Sequence, residues 1–329
     1  MNVCAIIVTY GNRFSLIEKV ANACIENGVQ TIFVVDNGSP EKNRLKLYDF
    51  ALNNNDYIQL IRNDHNLGSA GGYSIGLQRA KACTEFNHFL LLDDDNLMEK
   101  NSYLSLLQYW NEELSPEERM NSALLALRED REYYVRFTKE QNDDVLLGTS
   151  NSFMHYDFFS RQRIQSVKII ESTRIKTPIA PYGGLLIPRC LLDKIGLPLE
   201  DMFLYIDDIE FSYRITSGGG NIFIVPDSKI LDIDQSWGSK AENHKKKLSS
   251  PVLEEGESFR IYYTFRNRSF FEYFYRVNNK PLYFFNMFVL LLKLSIKAIA
   301  LKKTDRLSLI LLAVYDGIRG KLGITKRKL

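Results

Sequence analysis

The sequence predicts an α/β fold in which a mostly parallel sheet is flanked by helices, with a separate helical C-terminal region. Three observations support this prediction. Short aliphatic and β-branched runs alternate with segments of helical spacing in the N-terminal part of the chain. Each run ends in a polar loop, and beyond about residue 258 the composition shifts towards Phe, Tyr, Leu, Lys and Arg. With 45% hydrophobic and 25% charged residues, the 329-residue chain is typical of folded globular proteins.

Four strands are predicted in the N-terminal part, with helical segments between them. In order, the strands are Val3–Thr9 and residues 31–35, 57–61 and 89–92. Apolar residues recur at spacings of three and four over residues 16–24, which indicates an amphipathic helix, and residues 70–83 are also helix-like. Because ligands of parallel sheets bind beyond the carboxyl ends of the strands, the polar loops that follow these strands are expected to converge on one crevice.

The rest of the first domain is less regular. Further strands are predicted at residues 182–188 and 221–226, with a carboxylate-rich stretch between them. Residues 111–144 are highly charged and weakly periodic, so they are expected to form an excursion or surface helices rather than core, and no catalytic motif is recognised there. We predict a catalytic domain over residues 1–257, with one half at residues 1–100 and another at 180–245, and a helical region over residues 258–329.

Charge and cysteine content exclude several classes of protein. The chain has 42 Lys and Arg against 40 Asp and Glu, a formal charge of +2, which is too balanced for a protein whose whole surface binds nucleic acid. The four cysteines are far apart and form no CxxC pair, so neither a zinc knuckle nor a disulfide framework is predicted. The apolar N-terminal run is too short for a signal peptide, and a cytoplasmic location is expected.

The C-terminal region is strongly basic and apolar. Residues 282–301 are nearly long enough to cross a bilayer, but Lys293 and Lys297 interrupt the run on one helical face. An amphipathic helix at the inner face of the cell membrane therefore fits better than a membrane span. The alternative is that the apolar face packs against the catalytic domain.

The first acidic motif is a triplet, Asp93, Asp94 and Asp95, directly after a buried strand. Adjacent carboxylates repel one another unless a cation or protons compensate. In an extended segment Asp93 and Asp95 would point to the same side, where they could hold Mg²⁺ or Mn²⁺ against a diphosphate, and Asp94 would face elsewhere. The alternative is a solvated acidic turn that caps the next helix.

The second acidic motif contains Asp207, Asp208 and Glu210 and is predicted to begin a helix. A carboxylate at such a position either caps the helix or accepts a proton from an incoming hydroxyl group. Mutual repulsion would raise the pKa values of the pair, which suits a base that works near neutral pH.

Taken together, these motifs resemble glycosyltransferase family 2, over residues 3–268 and in the family's order and spacing. Within the family, they are most similar to the galactofuranosyltransferase and rhamnosyltransferase branches that build bacterial surface polysaccharides such as capsule and O antigen. The motifs are Ile7-Val-Thr-Tyr10 with Arg13, Val35-Asp-Asn-Gly-Ser39, Asn66-Leu-Gly-Ser-Ala-Gly-Gly72, Leu92-Asp-Asp-Asp95, Tyr205-Ile-Asp-Asp-Ile-Glu210 and Tyr262-Tyr-Thr-Phe-Arg-Asn-Arg268.

This resemblance implies a GT-A fold, a nucleotide-sugar donor, a divalent metal ion and inversion at the anomeric carbon. It implies Asp208 as the base, with Asp207 and Glu210 holding acceptor sugars, and Mn²⁺ or Mg²⁺ bound by Asp93 and Asp95. Trp237 is a candidate for stacking on an acceptor sugar, although an aromatic residue that follows a strand more often has a packing role. Donor contacts are implied for Thr9, Arg13, Asp36, Asn66, Asp93, Asp94 and Asp95.

One position departs from the family pattern. Where the family usually has a metal-binding histidine, six residues after the proline that ends a strand, this chain has Asp232, which is an acceptable ligand for a hard cation. Asp234 and His244 are the alternatives for the third metal ligand.

The favoured function is therefore a metal-dependent inverting glycosyltransferase that uses UDP-galactofuranose, with dTDP-rhamnose as the alternative donor. Its acceptor would be a growing polysaccharide or lipid-linked glycan. Two other classes stay open. A nucleotidyltransferase would release pyrophosphate in place of UDP or dTDP, and a non-catalytic subunit would dock a polysaccharide-assembly complex through the basic tail.

Overall fold

The computed structural model describes residues 1–159, 174–234 and 251–325. These residues form two compact units. The first contains residues 1–141, 174–200 and 207–234, and the second contains residues 142–159, 201–206 and 251–325. The units therefore do not follow a single boundary near residue 257. Two short internal segments belong with the C-terminal helices because their side chains pack into the same apolar cluster, to which Phe153 and Phe203 contribute.

The first unit is built on a nine-stranded sheet within the described residues. Four strands are parallel to one another and run from one edge of the sheet to its centre, in the order β3-β2-β1-β4, with β3 at the edge. Antiparallel β8 follows β4, and then come β6, β9 and β5, with β7 paired to β9. The strands are β1 (Val3–Thr9), β2 (Ile32–Asn37), β3 (Ile58–Asn63), β4 (His88–Asp93), β5 (Asn96–Met98), β6 (Ser122–Leu127), β7 (Ile175–Lys176), β8 (Leu185–Pro188) and β9 (Asn221–Asp232).

Helices cover this sheet and bury its aliphatic side chains. The helix α1 (Phe14–Glu26) has Ile17, Val20 and Cys24 fully buried, as the three- and four-residue spacing predicts. The other helices of the first unit are α2 (Glu41–Asn53), α3 (Gly68–Ala82), α4 (Ser102–Gln108), α5 (Pro116–Arg119), α6 (Glu132–Glu140), α8 (Arg189–Ile195) and α9 (Asp207–Ser217), and α7 (Asp144–Leu147) belongs to the second unit.

The charged segment at residues 111–144 differs from its prediction. It contains β6, whose six residues are all buried in the sheet, and so it is not only a surface excursion. The apolar run Ser122–Leu127 is short, and the charged residues on both sides hide its signal in a window of helical length.

The second unit is helical around its own aromatic core. Its helices are α10 (Pro251–Glu254), α11 (Ser258–Phe271), α12 (Lys280–Ala300) and α13 (Thr304–Ile318). Buried Tyr283 and Ile310 belong to the core that joins them. By length and composition, α12 is long and apolar enough to cross a membrane, and within the described residues no other helix is. Only 17% of its apolar window is buried within the protein.

Candidate active site

The acid triplet lies at the carboxyl ends of β1 and β4. Asp93 is the last residue of β4, and the chain then turns before β5 begins at Asn96. Tyr73 donates its hydroxyl hydrogen to Asp93 at 2.8 Å. The hydroxyl of Thr9 donates to Asp94 at 2.7 Å, and the Arg13 Nε donates to the same carboxylate at 2.8 Å. A side chain of α3 therefore holds Asp93, and side chains at the end of β1 and in the loop after it hold Asp94.

The three carboxylates are arranged differently from the alternation expected of an extended segment. Asp95 accepts a hydrogen bond from Arg13 Nη2 at 2.8 Å, so Asp94 and Asp95 share one guanidinium group, whereas Asp93 bonds to Tyr73. The reason is that residues 94 and 95 form a turn, in which the two-residue periodicity of a strand no longer applies.

Asn96 stabilises this turn. Its Oδ1 accepts a hydrogen bond from the backbone N–H of Asp93 at 3.0 Å, and its Nδ2 donates to Asp95 at 3.1 Å and to Asp232 at 2.8 Å. Gly183 lies against the Asn96 side chain, and it must be glycine because a Cβ there would lie 2.0 Å from the Asn96 Oδ1. One buried amide therefore links Asp95 to Asp232 across the sheet.

Three arginines are the counter-ions of these acids. Arg13 reaches a third carboxylate, that of Asp234, with 2.6 Å between Nη1 and Oδ2. Asp232 accepts from both Arg128 and Arg131. The Asp232 side chain is only 7% exposed, whereas that of Asp234 is 45% exposed.

Burial changes the proton affinity of the triplet. It raises the pKa of Asp94 to about 6, and burial together with the charges of Asp93 and Asp94 raises the pKa of Asp95 to about 7. Burial also raises the pKa of Asp93. The cluster thus favours the gain of a positive charge, whether a proton or a cation.

The donor set suits a hard divalent cation, because it consists of carboxylate oxygens. In the described ranges, however, no group of three or more His, Cys, Asp and Glu side chains is arranged as a metal site. Asp93 and Asp95 fit the predicted role chemically, and Asp232 is held by two arginines. Asp234 is more accessible than Asp232, the other candidate for the third ligand that lies within the described residues. His244 and Trp237 lie outside the described residues.

The second acidic pair begins α9. Ser69 donates its hydroxyl hydrogen to Asp207 at 2.7 Å, and the backbone N–H of Ile209 donates to Asp208 at 2.8 Å. Burial raises the pKa of both acids; repulsion from Asp208 adds to the rise for Asp207, and repulsion from Asp93 adds to it for Asp208. Asp208 is therefore close enough to the triplet to sense its charge.

Glu210 has a different environment. It is fully buried and pairs with Arg214 one helical turn later, at 3.0 Å between the Arg214 Nε and the Glu210 Oε1. This ion pair within α9 is a structural contact, and an acceptor-binding role for Glu210 stays a prediction.

The predicted donor residues Asp36 and Asn66 lie at the next strand ends. Asp36 stands opposite Thr9 in the parallel β1–β2 pair, and its Oδ1 accepts the Ser39 N–H at 2.9 Å. Asn66 accepts from the side chain of Asn37 at 3.1 Å. Gly38 lets the two loops approach, because a Cβ there would lie 2.5 Å from the backbone nitrogen of Asn66.

Arg128, Arg131 and Tyr73 are site residues that the sequence prediction missed. Arg128 follows β6 directly, and its charge lowers the pKa of both Asp93 and Asp208 against the effect of burial. The position of Arg128 at the end of an apolar run was the signal that could have found it. Tyr73 lies inside a helix-like segment and has no such signal.

Comparison with known proteins agrees with this architecture. Residues 4–115 match the family described as Glycosyl transferase family 2. The chain is 24% identical over 232 residues to Galactofuranosyltransferase GlfT2 of Mycolicibacterium smegmatis, a match that covers 69% of this chain and 35% of that protein. The same enzyme from Mycobacterium tuberculosis is 24% identical over 184 residues, which is 55% of this chain and 28% of the relative. The chain thus spans about a third of the length of these curated relatives.

Two solved structures share the fold. One is GalNAc-T7 with UDP, GalNAc and Mn²⁺, with a TM-score of 0.52 and 19% identity over 77% of this chain and 46% of that one. The other is the mannosyltransferase PcManGT from Pyrobaculum calidifontis in complex with GDP-Man and Mn²⁺, with a TM-score of 0.52 and 14% identity. That match covers 97% of this chain and 88% of the other.

The sheet and its flanking helices are therefore those of the GT-A glycosyltransferases, which confirms the predicted fold class. Residues 4–115 carry a glycosyltransferase family 2 domain. This match agrees with the family resemblance of the motifs over the N-terminal third of the chain.

Proposed function

We propose that this protein is a metal-dependent inverting glycosyltransferase that moves a sugar from a nucleotide-sugar donor to a hydroxyl group of a growing bacterial polysaccharide or lipid-linked glycan. One observation carries the proposal. Asp208, a half-buried acid with a raised pKa at the start of α9, senses the charge of Asp93 at the end of β4. A candidate base and a candidate diphosphate site therefore belong to one electrostatic system.

In the proposed reaction the acceptor hydroxyl attacks the anomeric carbon from the face opposite the diphosphate. The hydroxyl proton passes to a carboxylate oxygen of Asp208, the new carbon–oxygen bond forms, and the bond from the anomeric carbon to the diphosphate oxygen breaks. Direct displacement at one carbon inverts its configuration. Asp207, hydrogen-bonded to Ser69, keeps its place beside the base and is the proposed acceptor-binding acid.

The nucleoside diphosphate is proposed to bind along the ends of β1, β2 and β4. Thr9, Arg13 and Asp94 form one hydrogen-bonded group there, and Asp36 lies beside Thr9 in the sheet, in reach of a ribose or base. Asn66 is proposed to approach the donor from the loop that packs against Gly38. Among the described residues, Arg13, Arg128 and Arg131 pair with acids of this site, and their guanidinium groups are proposed to attract the diphosphate.

Asp93 and Asp95 are the proposed ligands of Mn²⁺ or Mg²⁺, which when bound would neutralise charge on the departing diphosphate. For the third ligand, Asp232 is opposed by its two arginine partners, whereas Asp234 is exposed and shares Arg13 with Asp95. We therefore propose Asp234 and Asp232 as equal candidates for the third metal ligand.

UDP-galactofuranose is the first proposed donor, and dTDP-rhamnose is the alternative. Support for the first comes from the two curated relatives, both of which are galactofuranosyltransferases. The decisive experiment is a panel of UDP-galactofuranose, UDP-galactose and dTDP-rhamnose, with Mn²⁺, with Mg²⁺ and with chelator, scored by nucleotide release. Release of pyrophosphate from a nucleoside triphosphate would instead support a nucleotidyltransferase.

We propose that the enzyme works at the inner face of the cell membrane. The support is the exposed apolar side of α12, on which Phe288, Ile296 and Ile299 are each more than 60% exposed. Phe158 and Phe159 add two exposed rings that contact Phe285 of the same helix. Cations of the same helix, Lys293 and Lys297, suit an anionic lipid surface.

A further inference from the structure

The chain that leads to the acidic pair is strained. Phe203, Tyr205 and Ile206 have φ angles of 64°, 65° and 64°, in the left-handed region that favours glycine. Such angles are uncommon for any other residue and are a true outlier for a β-branched one such as Ile206. Three of them within four residues persist only if the surroundings hold the backbone in place. Asp207 and Asp208 follow immediately in the chain.

Asn267, on α11 of the second unit, makes the contacts that hold this segment. Its Nδ2 lies 2.8 Å from each of three backbone carbonyl oxygens, those of Met202, Leu204 and Tyr205. The side chain is completely buried, so these bonds have no competition from water. A single amide group therefore spans the strained residues.

Arg266 fixes the direction in which this amide points. Its Nε donates to Asn267 Oδ1 at 2.8 Å. A guanidinium group has no hydrogen-bond acceptor, so the amide oxygen must face Arg266 and the amide N–H groups must face the carbonyls. Arg266 also donates from Nη2 to the carbonyl of Met202 at 2.8 Å, and it is 1% exposed.

The geometry points to Arg266 and Asn267 as positioning residues for the Asp207–Asp208 pair, an inference that rests on the proposed function. Neither residue is argued to touch the substrate. They hold residues 202–205 in a conformation that the chain would otherwise leave, and the covalent continuation of that segment sets where α9 and its first two acids begin. This gives the Arg-Asn part of the motif at residues 262–268 a physical role.

The test is Asn267→Asp in the full-length chain, which keeps the shape of the side chain and its bond to Arg266 but turns an oxygen towards the three carbonyls. We expect kcat to fall about tenfold to hundredfold, because a displacement of about 1 Å at a reacting group has costs of that size. The KM for the donor and the thermal stabilisation by UDP with Mn²⁺ should stay within about twofold of wild type.

Glycine at a strained position should rescue the defect. Glycine adopts positive φ without steric cost, so Ile206→Gly in the Asn267→Asp background is expected to restore most of kcat. Leu204→Gly is the matched control: Leu204 is in the same loop but is not among the positive-φ residues, and this change should restore nothing. Equal rescue by both, or rescue by neither, would overturn the inference.

Hydrogen–deuterium exchange provides a readout that does not depend on catalysis. Peptides covering residues 203–210 should exchange faster in Asn267→Asp than in wild type, and those covering β1 should not change. If no donor is turned over by wild type, the proposed function fails. The exchange measurement still decides whether Arg266 and Asn267 hold residues 202–205 in place, an arrangement that we call the clamp. Wild-type exchange at residues 203–210 together with undiminished kcat in the variant would refute it.

Should Asn267→Asp fail to fold, Asn267→Leu removes the donor without adding a charge and is measured in the same way. If both fail to fold, restoration of folding by Ile206→Gly supports the clamp. Misfolding that Ile206→Gly leaves unchanged counts against it.

Discussion

Asp208 combines the features that a general base needs. It lies at the start of a helix, it is partly shielded from water, and burial and the charge of Asp93 raise its pKa. Its Oδ1 accepts the N–H of the next residue, and within the described part of the chain the second carboxylate oxygen accepts no hydrogen bond. A raised pKa strengthens the base, and its cost is that more of the acid is protonated at a given pH.

Replacement of this carboxylate gives the first prediction. Asp208→Asn should lower kcat about a hundredfold to ten-thousandfold, because an amide cannot accept the acceptor's proton. UDP binding, measured by thermal shift with Mn²⁺, should change little. Asp64→Asn, in an exposed loop, is the control and should retain full activity. Turnover by Asp208→Asn at the wild-type rate would assign the base elsewhere.

The pH dependence follows from the sign of the pKa shift. As the proposed base, Asp208 would have to be ionised, and its pKa is raised, so kcat/KM should fall as pH falls through a value above that of an ordinary aspartate. A pH–rate profile measured with a donor whose chemical step is slow reports this fall in kcat/KM at low pH. The fall should be absent from the residual activity of Asp208→Asn, and an unchanged profile in that variant would contradict the assignment.

At the scale of elements, the loops after β2 and β3 depend on Gly38. Its φ is +80°, and a Cβ would meet the backbone of His65 and Asn66. Gly219 provides a matched comparison, because its φ is +82° but a Cβ there would meet nothing within 4 Å. A substitution at either position would strain the backbone, because both have positive φ. Only a substitution of Gly38 would also make the new Cβ clash with neighbouring atoms.

Gly219→Ala should therefore destabilise the protein by about 1 kcal/mol through strain alone, and Gly38→Ala by roughly 1–3 kcal/mol more. Urea denaturation followed by fluorescence measures both. Gly38→Ala should also weaken UDP binding if Asp36 and Asn66 contact the donor, whereas Gly219→Ala should not. Equal destabilisation by the two changes would show that the loops separate freely.

At the scale of the whole molecule, the second unit has its own core, and one side of α12 is exposed among the residues that the structure describes. Exposed apolar residues at positions 288, 292, 296 and 299 of this helix recur at spacings of three and four. The exposed rings of Phe158 and Phe159 contact Phe285, so the apolar surface extends beyond a single helix.

Vesicle flotation tests whether this surface binds lipid. Wild type should bind vesicles with anionic lipid more strongly than purely zwitterionic ones, and Phe288→Ser with Ile296→Ser should weaken binding about tenfold or more, since each buried apolar side chain contributes about 1.5–3 kcal/mol. Leu45→Ser with Leu52→Ser removes equally exposed leucines from α2 and should change nothing. A concentration-dependent dimer abolished by the first pair would identify a second copy as the occupant.

Much of the first unit could be predicted from sequence because its signals are local. Aliphatic runs specify β1, β2 and β4, and the acids at their ends follow directly in the chain. The turn at Asp94 and Asp95 could not be predicted, because it depends on Asn96 and on contact with Arg13, 81 residues away from Asp94. Strand β6 was missed because its neighbours are charged.

The sequence by itself determined the fold class and the positions of the two acidic motifs, because each depends on residue type and short-range spacing. Tertiary structure alone decided the partners of those acids. Arg128 is 104 residues from Asp232, and Asn267 is 62 to 65 residues from the carbonyls it binds. No local pattern encodes such pairs, since an ion pair or a buried amide is specified by where the folded backbone brings two side chains together.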